Sequence, residues 1–193
     1  MRAADTDHRT EEPLLSAIPS IRGVHHFAYA VPNLDEAVVF FTDVLGAELA
    51  TRFGPLADPE GDSFAEKLGI HPRAELRSAL LRFGPTLNVE LHEYKAPDQR
   101  DSPPRQSDPG ASHLGVWVDD LDAAADYLRA QPGVTVRTIG PGGPPELEGL
   151  TNFFFETPWG QVIEVLTAPD LLPYQQGSDV RLYQPRGQWT DRP

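Results

Sequence analysis

Between Val24 and Val31 the chain alternates, which predicts a strand with His26, Ala28 and Ala30 on one face and His25, Phe27, Tyr29 and Val31 on the other. The second face is bulky and is expected to pack under a helix. The first is small apart from His26 and leaves room for a ligand. Pro32-Asn33 then turns the chain, and Asn33 with Glu36 three residues later is a capping-box-like helix start. Leu34, Ala37, Val38, Phe41, Val44 and Leu45 recur at helical spacing, and Gly46 closes the helix. Ala47 to Phe53 reads as a second strand. Gly54 to Pro72 is a longer excursion with a short helix across Asp62 to Leu68, a flap over a cavity. Glu75 to Phe83 and Leu87 to Tyr94 form a hairpin about Gly84-Pro85, with Asn88, Glu90, His92 and Tyr94 sharing a face.

After a proline-rich polar linker over residues 96–110 the pattern returns. Ser112 to Val118 is a strand with His113, Gly115 and Trp117 on one face. Leu121 to Ala130 is a helix ended by Pro132-Gly133, and Val134 to Ile139 is a strand. A glycine/proline loop (Gly140 to Gly149) follows, and Thr151 to Glu156 with Gln161 to Leu166 makes a closing hairpin across Pro158-Trp159-Gly160. At one fixed offset His26 falls on His113, Val31 on Val118, Leu34 on Leu121, Asp35 on Asp122 and Ala37 on Ala124. Asn-Val-Glu-Leu around Glu90 is echoed by Val-Ile-Glu-Val around Glu164. An internal repeat fixes architecture: an α+β fold of two tandem βαβββ modules, residues 21–95 and 111–168. A loose arm (1–20) precedes them. A tail (169–193) follows, without a period, and is expected to wrap the body or serve an interface.

Composition narrows the function. The 193 residues carry a formal net charge of −13, which makes nucleic acid and anionic membranes poor partners. Without cysteine there are no disulfides, thiolate metal sites or thiol nucleophiles, which fits a cytoplasmic protein. No apolar run reaches the roughly 20 residues of a membrane span, and residues 1–13 lack a signal-peptide core. GPGGPP at 140 lacks the Lys-Ser/Thr of a phosphate loop, and no serine is framed as a nucleophile elbow.

Strand parity places His26, Glu90, His113 and Glu164 in a trough between two sheets. Taken singly, each would be an ordinary strand residue. Together, two imidazoles and two carboxylates suit one divalent ion (Zn, Ni, Co, Mn or Fe) with positions left for water or substrate, a Lewis-acid centre. Further along these faces, His92 and Tyr94 are candidate substrate contacts, and Trp117, Phe153 and Phe155 are candidate liners of an apolar substrate pocket. His25 is expected on the helix side as a core or edge histidine, His71 on a loop surface, and Trp159 against its hairpin.

The stretches HHFAYAVPNLDEAVVFFTDVLG and SHLGVWVDDLDAA, with VELHEY and QVIEVLT in their places, resemble the vicinal oxygen chelate superfamily over Gly23 to Thr167. That superfamily contains glyoxalase I, methylmalonyl-CoA epimerase, extradiol dioxygenases, and fosfomycin- and bleomycin-resistance proteins. The resemblance implies paired βαβββ modules around a metal. Glyoxalase I's ligands carry over onto His26, Glu90, His113 and Glu164, with Glu164 or Glu90 as the proton-transferring base. Where glyoxalase I holds a glutathione-gripping arginine, four residues past the first ligand histidine, this chain has Ala30, so glutathione is not implied. The expected function is metal-dependent proton transfer, an isomerase or lyase step, on a small metabolite held through vicinal oxygens, with a homodimer expected. Two alternatives stand beside it: an Fe(II) ring-cleaving dioxygenase of the extradiol type, and a non-catalytic antibiotic-binding resistance protein.

Overall fold

The computed structural model describes residues 18–100, 102–185 and 189. Most of the expected N-terminal arm and the end of the tail therefore lie outside the described residues. The first module runs β1 (His26–Ala30), α1 (Leu34–Val39), β2 (Glu48–Ala57), α2 (Ser63–Leu68), β3 (Glu75–Phe83) and β4 (Leu87–Lys95). The second runs β5 (Leu114–Trp117), α3 (Leu121–Arg129), β6 (Thr135–Val136), β7 (Gly140–Pro141), β8 (Thr151–Glu156) and β9 (Val162–Thr167). Each module folds into its own sheet, ordered β1-β4-β3-β2 and β5-β9-β8-β6, with β7 pairing β8. In both, the first strand lies parallel to the last and the last two form an antiparallel hairpin.

Local chemistry accounts for the first helix. The Asn33 side chain accepts from the Asp35 and Glu36 amides, and acidic residues fill the first turn, where the helix dipole favours them. Glu93, on β4, accepts from the Leu34 amide at 2.8 Å and pairs with Arg77, which ties the helix start to the sheet. The expected helix to Leu45 is kept but widens into a π turn over Phe40–Val44, where the Leu45 amide reaches back to the Phe40 carbonyl. Gly46, at φ +71°, ends it.

Three expectations on the frame are corrected. The second strand runs on to Ala57, because register shifts near Phe53 let it keep pairing with β3 as far as Glu75; the excursion therefore begins four residues later. The strand expected over Val134 to Ile139 shrinks to two residues. Arg137 donates once more to Phe154, and pairing with β8 resumes only at Gly140–Pro141. His25 lies just outside β1, so strand alternation does not govern it: its side chain is exposed, with Nδ1 2.9 Å from that of His26.

The two modules share one apolar core. Tyr29, Val31, Leu34, Phe41, Leu81 and Leu91 of the first meet Leu121, Leu128, Phe153, Phe155, Ile163 and Val165 of the second. Phe40 stands edge-on to Trp159 at 5.4 Å, and the Tyr127 hydroxyl donates to the Val44 carbonyl. The tail binds the body where it is described. Trp189 donates to the Gly46 carbonyl at 3.0 Å and packs edge-on to Phe83 at 4.9 Å. A Cβ at Gly84 would stand 2.7 Å from that indole, so the glycine is what admits it.

Candidate functional site: two His–Glu pairs

Alternation along β1 holds as expected: Tyr29 and Val31 are buried, while His26, Ala28 and Ala30 face outward. Parallel pairing sets Ala28 beside Glu90 and Ala30 beside His92. The small residues leave the end of β1 open, and His26 turns its Nε2 to Glu90 Oε2 at 3.4 Å. From the other side His92 brings its Nε2 within 3.3 Å of the same oxygen. Glu90 thus stands between two imidazoles. His92 is fixed by the fully buried Ser78, whose Oγ lies 2.7 Å from its Nδ1. Burial pushes the His92 imidazole below the ordinary histidine range, against the opposing pull of Glu90. The same burial, with the Glu90 charge nearby, raises the Tyr94 phenol. Tyr94 continues this face, its ring 5.5 Å from that of His92.

The second module repeats the pair. His113 Nε2 lies 3.3 Å from Glu164 Oε2. Gly115, paired with Glu164, keeps the space in front of that carboxylate clear; a Cβ there would meet Glu164 at 3.7 Å and Leu166 at 3.3 Å. Asn152 donates its amide to the other carboxylate oxygen, and Phe154 stands edge-on to His113 at 5.4 Å.

The substrate-pocket expectation is corrected for Phe153, which is 1% exposed in the shared core; Phe155 is equally buried but reaches the lining of the cavity beside His113. Antiparallel pairing puts Phe154, not its neighbours, opposite Glu164, so Phe154 is the aromatic residue of the site's face. Trp117 lies on the His113 face and lines a cavity of about 410 Å³ beside the β3–β4 turn and Trp189. Three residues escaped the sequence reading: Ser78, Asn152 and Phe154. Ser78 and Asn152 occupy corresponding rungs, each opposite the residue two past its glutamate (His92 and Leu166), and that register was a usable signal.

The donor types suit a divalent ion, one imidazole nitrogen and one carboxylate oxygen per pair. The grouping within one chain does not complete a site: among the described residues no three His, Asp or Glu side chains stand together so as to hold a metal. His113 opens on a cavity of about 460 Å³ lined by linker and second-module residues. Past the other pair, at Ala30 and Tyr94, lies one of about 620 Å³ lined by first-module and linker residues. Each pair thus fits half of a four-ligand set.

Among the described residues no helix is long and apolar enough to cross a membrane. A 2-epi-5-epi-valiolone epimerase from Actinomyces sp is 49% identical over 178 residues, covering 90% of this chain and 94% of that protein. Two solved structures share the fold. A glyoxalase family protein from Enterococcus faecalis is 19% identical, with a TM-score of 0.55 over 76% of this chain and 98% of that one. One from Bacillus cereus is 17% identical, with a TM-score of 0.56 over 78% and 97%. The model of the Glyoxalase/Bleomycin resistance protein/Dioxygenase superfamily matches residues 23–165, and the chain belongs to that superfamily.

Proposed function

We propose that the protein is a metal-dependent epimerase. It moves a proton at a carbon beside a carbonyl of a small, oxygen-rich metabolite, of which 2-epi-5-epi-valiolone is the first candidate. The observation that carries this is the His–Glu contact repeated at corresponding places of a duplicated fold. The relative named as an epimerase at 49% identity supports the reaction type.

Two copies of the chain pair so that His26 and Glu90 of one meet His113 and Glu164 of the other, giving two sites per dimer. A divalent ion bound there supplies Lewis acidity that lowers the cost of negative charge on a substrate oxygen. The chain's own groups handle the proton. One carboxylate, Glu164 or Glu90, takes it from the carbon, and the bonding electrons pass to the carbonyl oxygen. Return of a proton to the opposite face inverts the centre. Carboxylates carried on two different modules suit delivery from two sides. Ser78 holds His92, and His92 holds Glu90, so the first module's carboxylate is aimed before substrate arrives. Phe154 offers apolar surface beside the second pair, and Trp117 lines a separate cavity beside Trp189.

The test is metal content by mass spectrometry on untagged protein, beside solvent deuterium uptake into 2-epi-5-epi-valiolone followed by proton NMR. About one transition-metal ion per chain, lost in His113→Ala together with deuterium uptake, is the expected result. No metal, none taken up on addition and no exchange would leave a ligand-binding protein. Iron with oxygen uptake on catechols would select the dioxygenase alternative.

A further inference from the structure

The trough face does not end at His92. Beyond it, Tyr94 and Ala30 form the floor of an open cleft of about 620 Å³, walled by the end of the flap at Gly69 to Pro72 and by the linker at Ala96 to Arg100. Ala30 is the register partner of His92, and His92 is 3.3 Å from Glu90, so the cleft begins next to the residue that holds the first His–Glu pair. Its volume falls in the range of small-molecule sites.

Its walls mix donors, acceptors and apolar surface. Arg100 and Asp98 contribute one charge of each sign. Tyr94 contributes a hydroxyl. Gln99 uses its carbonyl on the Ala96 amide and, among the described residues, keeps its NH2 as a donor. Among the described residues His71 engages only Nδ1, which accepts from the Arg73 amide, and keeps Nε2 for a ligand. Ile70, Pro72 and Ala30 supply apolar surface. A phosphate subsite would gather cations or helix-start amides. Here a single arginine is offset by an aspartate, in a chain of net charge −13 that repels anions.

We propose that this cleft is the substrate subsite for an uncharged, polyhydroxylated ligand: it takes the hydroxyl-bearing part remote from the reacting carbon and selects against phosphorylated counterparts. The subsite deepens the epimerase reading and rests on it for the choice of substrate. Tyr94 and Arg100 bind hydroxyls, and the small side chain of Ala30 keeps the floor open. The cleft also explains the flap, whose last residues supply one wall.

The metal-loaded full chain is assayed by deuterium uptake with 2-epi-5-epi-valiolone and with its phosphate monoester. Loss of one hydrogen bond predicts that Tyr94→Phe and Arg100→Ala each raise KM about five- to tenfold with kcat within about twofold. Ala30→Leu raises KM by filling the floor. Arg105→Ala, an exposed partner of Asp108 outside the cleft, leaves KM unchanged. Unmoved KM in all three cleft variants overturns the proposal, as does preference for the phosphate ester that Arg100→Ala abolishes. If the wild type fails to exchange this ketone, the choice of reaction or substrate falls separately. The cleft is then judged by amide hydrogen exchange of the chain with the same ketone at millimolar concentration. Slowed exchange over residues 69–73 and 94–100, absent in Ala30→Leu, supports the subsite; unchanged exchange there overturns it.

Discussion

The sharpest consequence of finding the two pairs apart concerns mixed dimers. On the proposed metal site, removing either histidine costs one ligand of four. Structural zinc sites contribute about 10–16 kcal/mol in total, so one ligand corresponds to roughly 2.5–4 kcal/mol, or two to three orders of magnitude in metal affinity. His26→Ala and His113→Ala are therefore each expected to purify nearly metal-free and inactive. Mixed and allowed to exchange subunits, they form heterodimers in about half of all dimers, and each heterodimer has one intact and one doubly damaged site, so about a quarter of wild-type sites return. The intact site takes His26 from the His113→Ala chain and His113 from the His26→Ala chain. Were each site closed within a single chain, every site in every mixture would still lack one ligand, and nothing would return. The assay is metal per chain and deuterium uptake after mild dissociation and remixing, with native mass spectrometry confirming the heterodimer. A verified heterodimer with neither metal nor activity would refute sharing between copies. Full activity in either single variant would refute that histidine as a ligand.

Phe153→Ala opens a void in the shared core and is expected to cost about 3–5 kcal/mol in urea unfolding. Phe154→Ala costs under about 1 kcal/mol there yet impairs turnover; the reverse order of stabilities would contradict the corrected strand parity. Ser78→Ala leaves His92 Nδ1 without its 2.7 Å partner in a buried position. The expected loss is about 1–3 kcal/mol, and an unchanged urea midpoint would show that Ser78 does not hold the imidazole. Asp35 is held below the ordinary aspartate value of 3.8 by its bond to Arg77 and then by that to Arg52. Its native state is favoured when ionised, so its contribution is present above pH 3.8 and fades as pH falls through the depressed value. Asp35→Asn should flatten the stability profile below about pH 3.8 while leaving its slope near neutrality unchanged; a steeper loss in the variant under acid would refute that role.

Much of the frame was legible because the chain states it twice. Alternation in β1 and in β4, the helical spacing of Leu34, Ala37 and Val38, and the Gly46 stop are local signals, and the structure follows them. Period two sets His26, Glu90 and Glu164 on the faces they present, whereas His113 lies one residue before β5 and its place beside Glu164 is seen only in the structure. What escaped depends on register and on the ends of elements. Phe153 and Phe155 looked like a pocket pair because three phenylalanines in a row carry no alternation of their own; only pairing with β9 decides which one faces Glu164. His25 sits one residue before pairing begins, where parity has no force. Ser78 lies in a run with no visible chemistry and gains its role only by standing opposite His92. That the two His–Glu pairs form no common cluster within one chain, among the described residues, is a property of how whole modules pack, which no local pattern encodes.

The repeat is unequal where its chemistry sits, and that inequality bears on the reaction proposed. Ser78 and Asn152 hold matching rungs, but the residue opposite is His92 in one module and Leu166 in the other. Beside His92 the rung needs only a hydroxyl to hold the ring, and the ring reaches Glu90. Beside Leu166 there is no polar partner across the strand, so Asn152 turns to Glu164 itself. Glu90 is thus flanked by two imidazoles able to carry a proton, Glu164 by one imidazole and an amide that donates a hydrogen bond but does not titrate. In a site built from one wall of each kind, the two carboxylates are not interchangeable. A proton arriving at Glu90 can pass to His92, whereas one arriving at Glu164 has only His113 beside it. Two equal walls would serve either face of a stereocentre alike; two unequal walls distinguish the face that gives up a proton from the face that receives one.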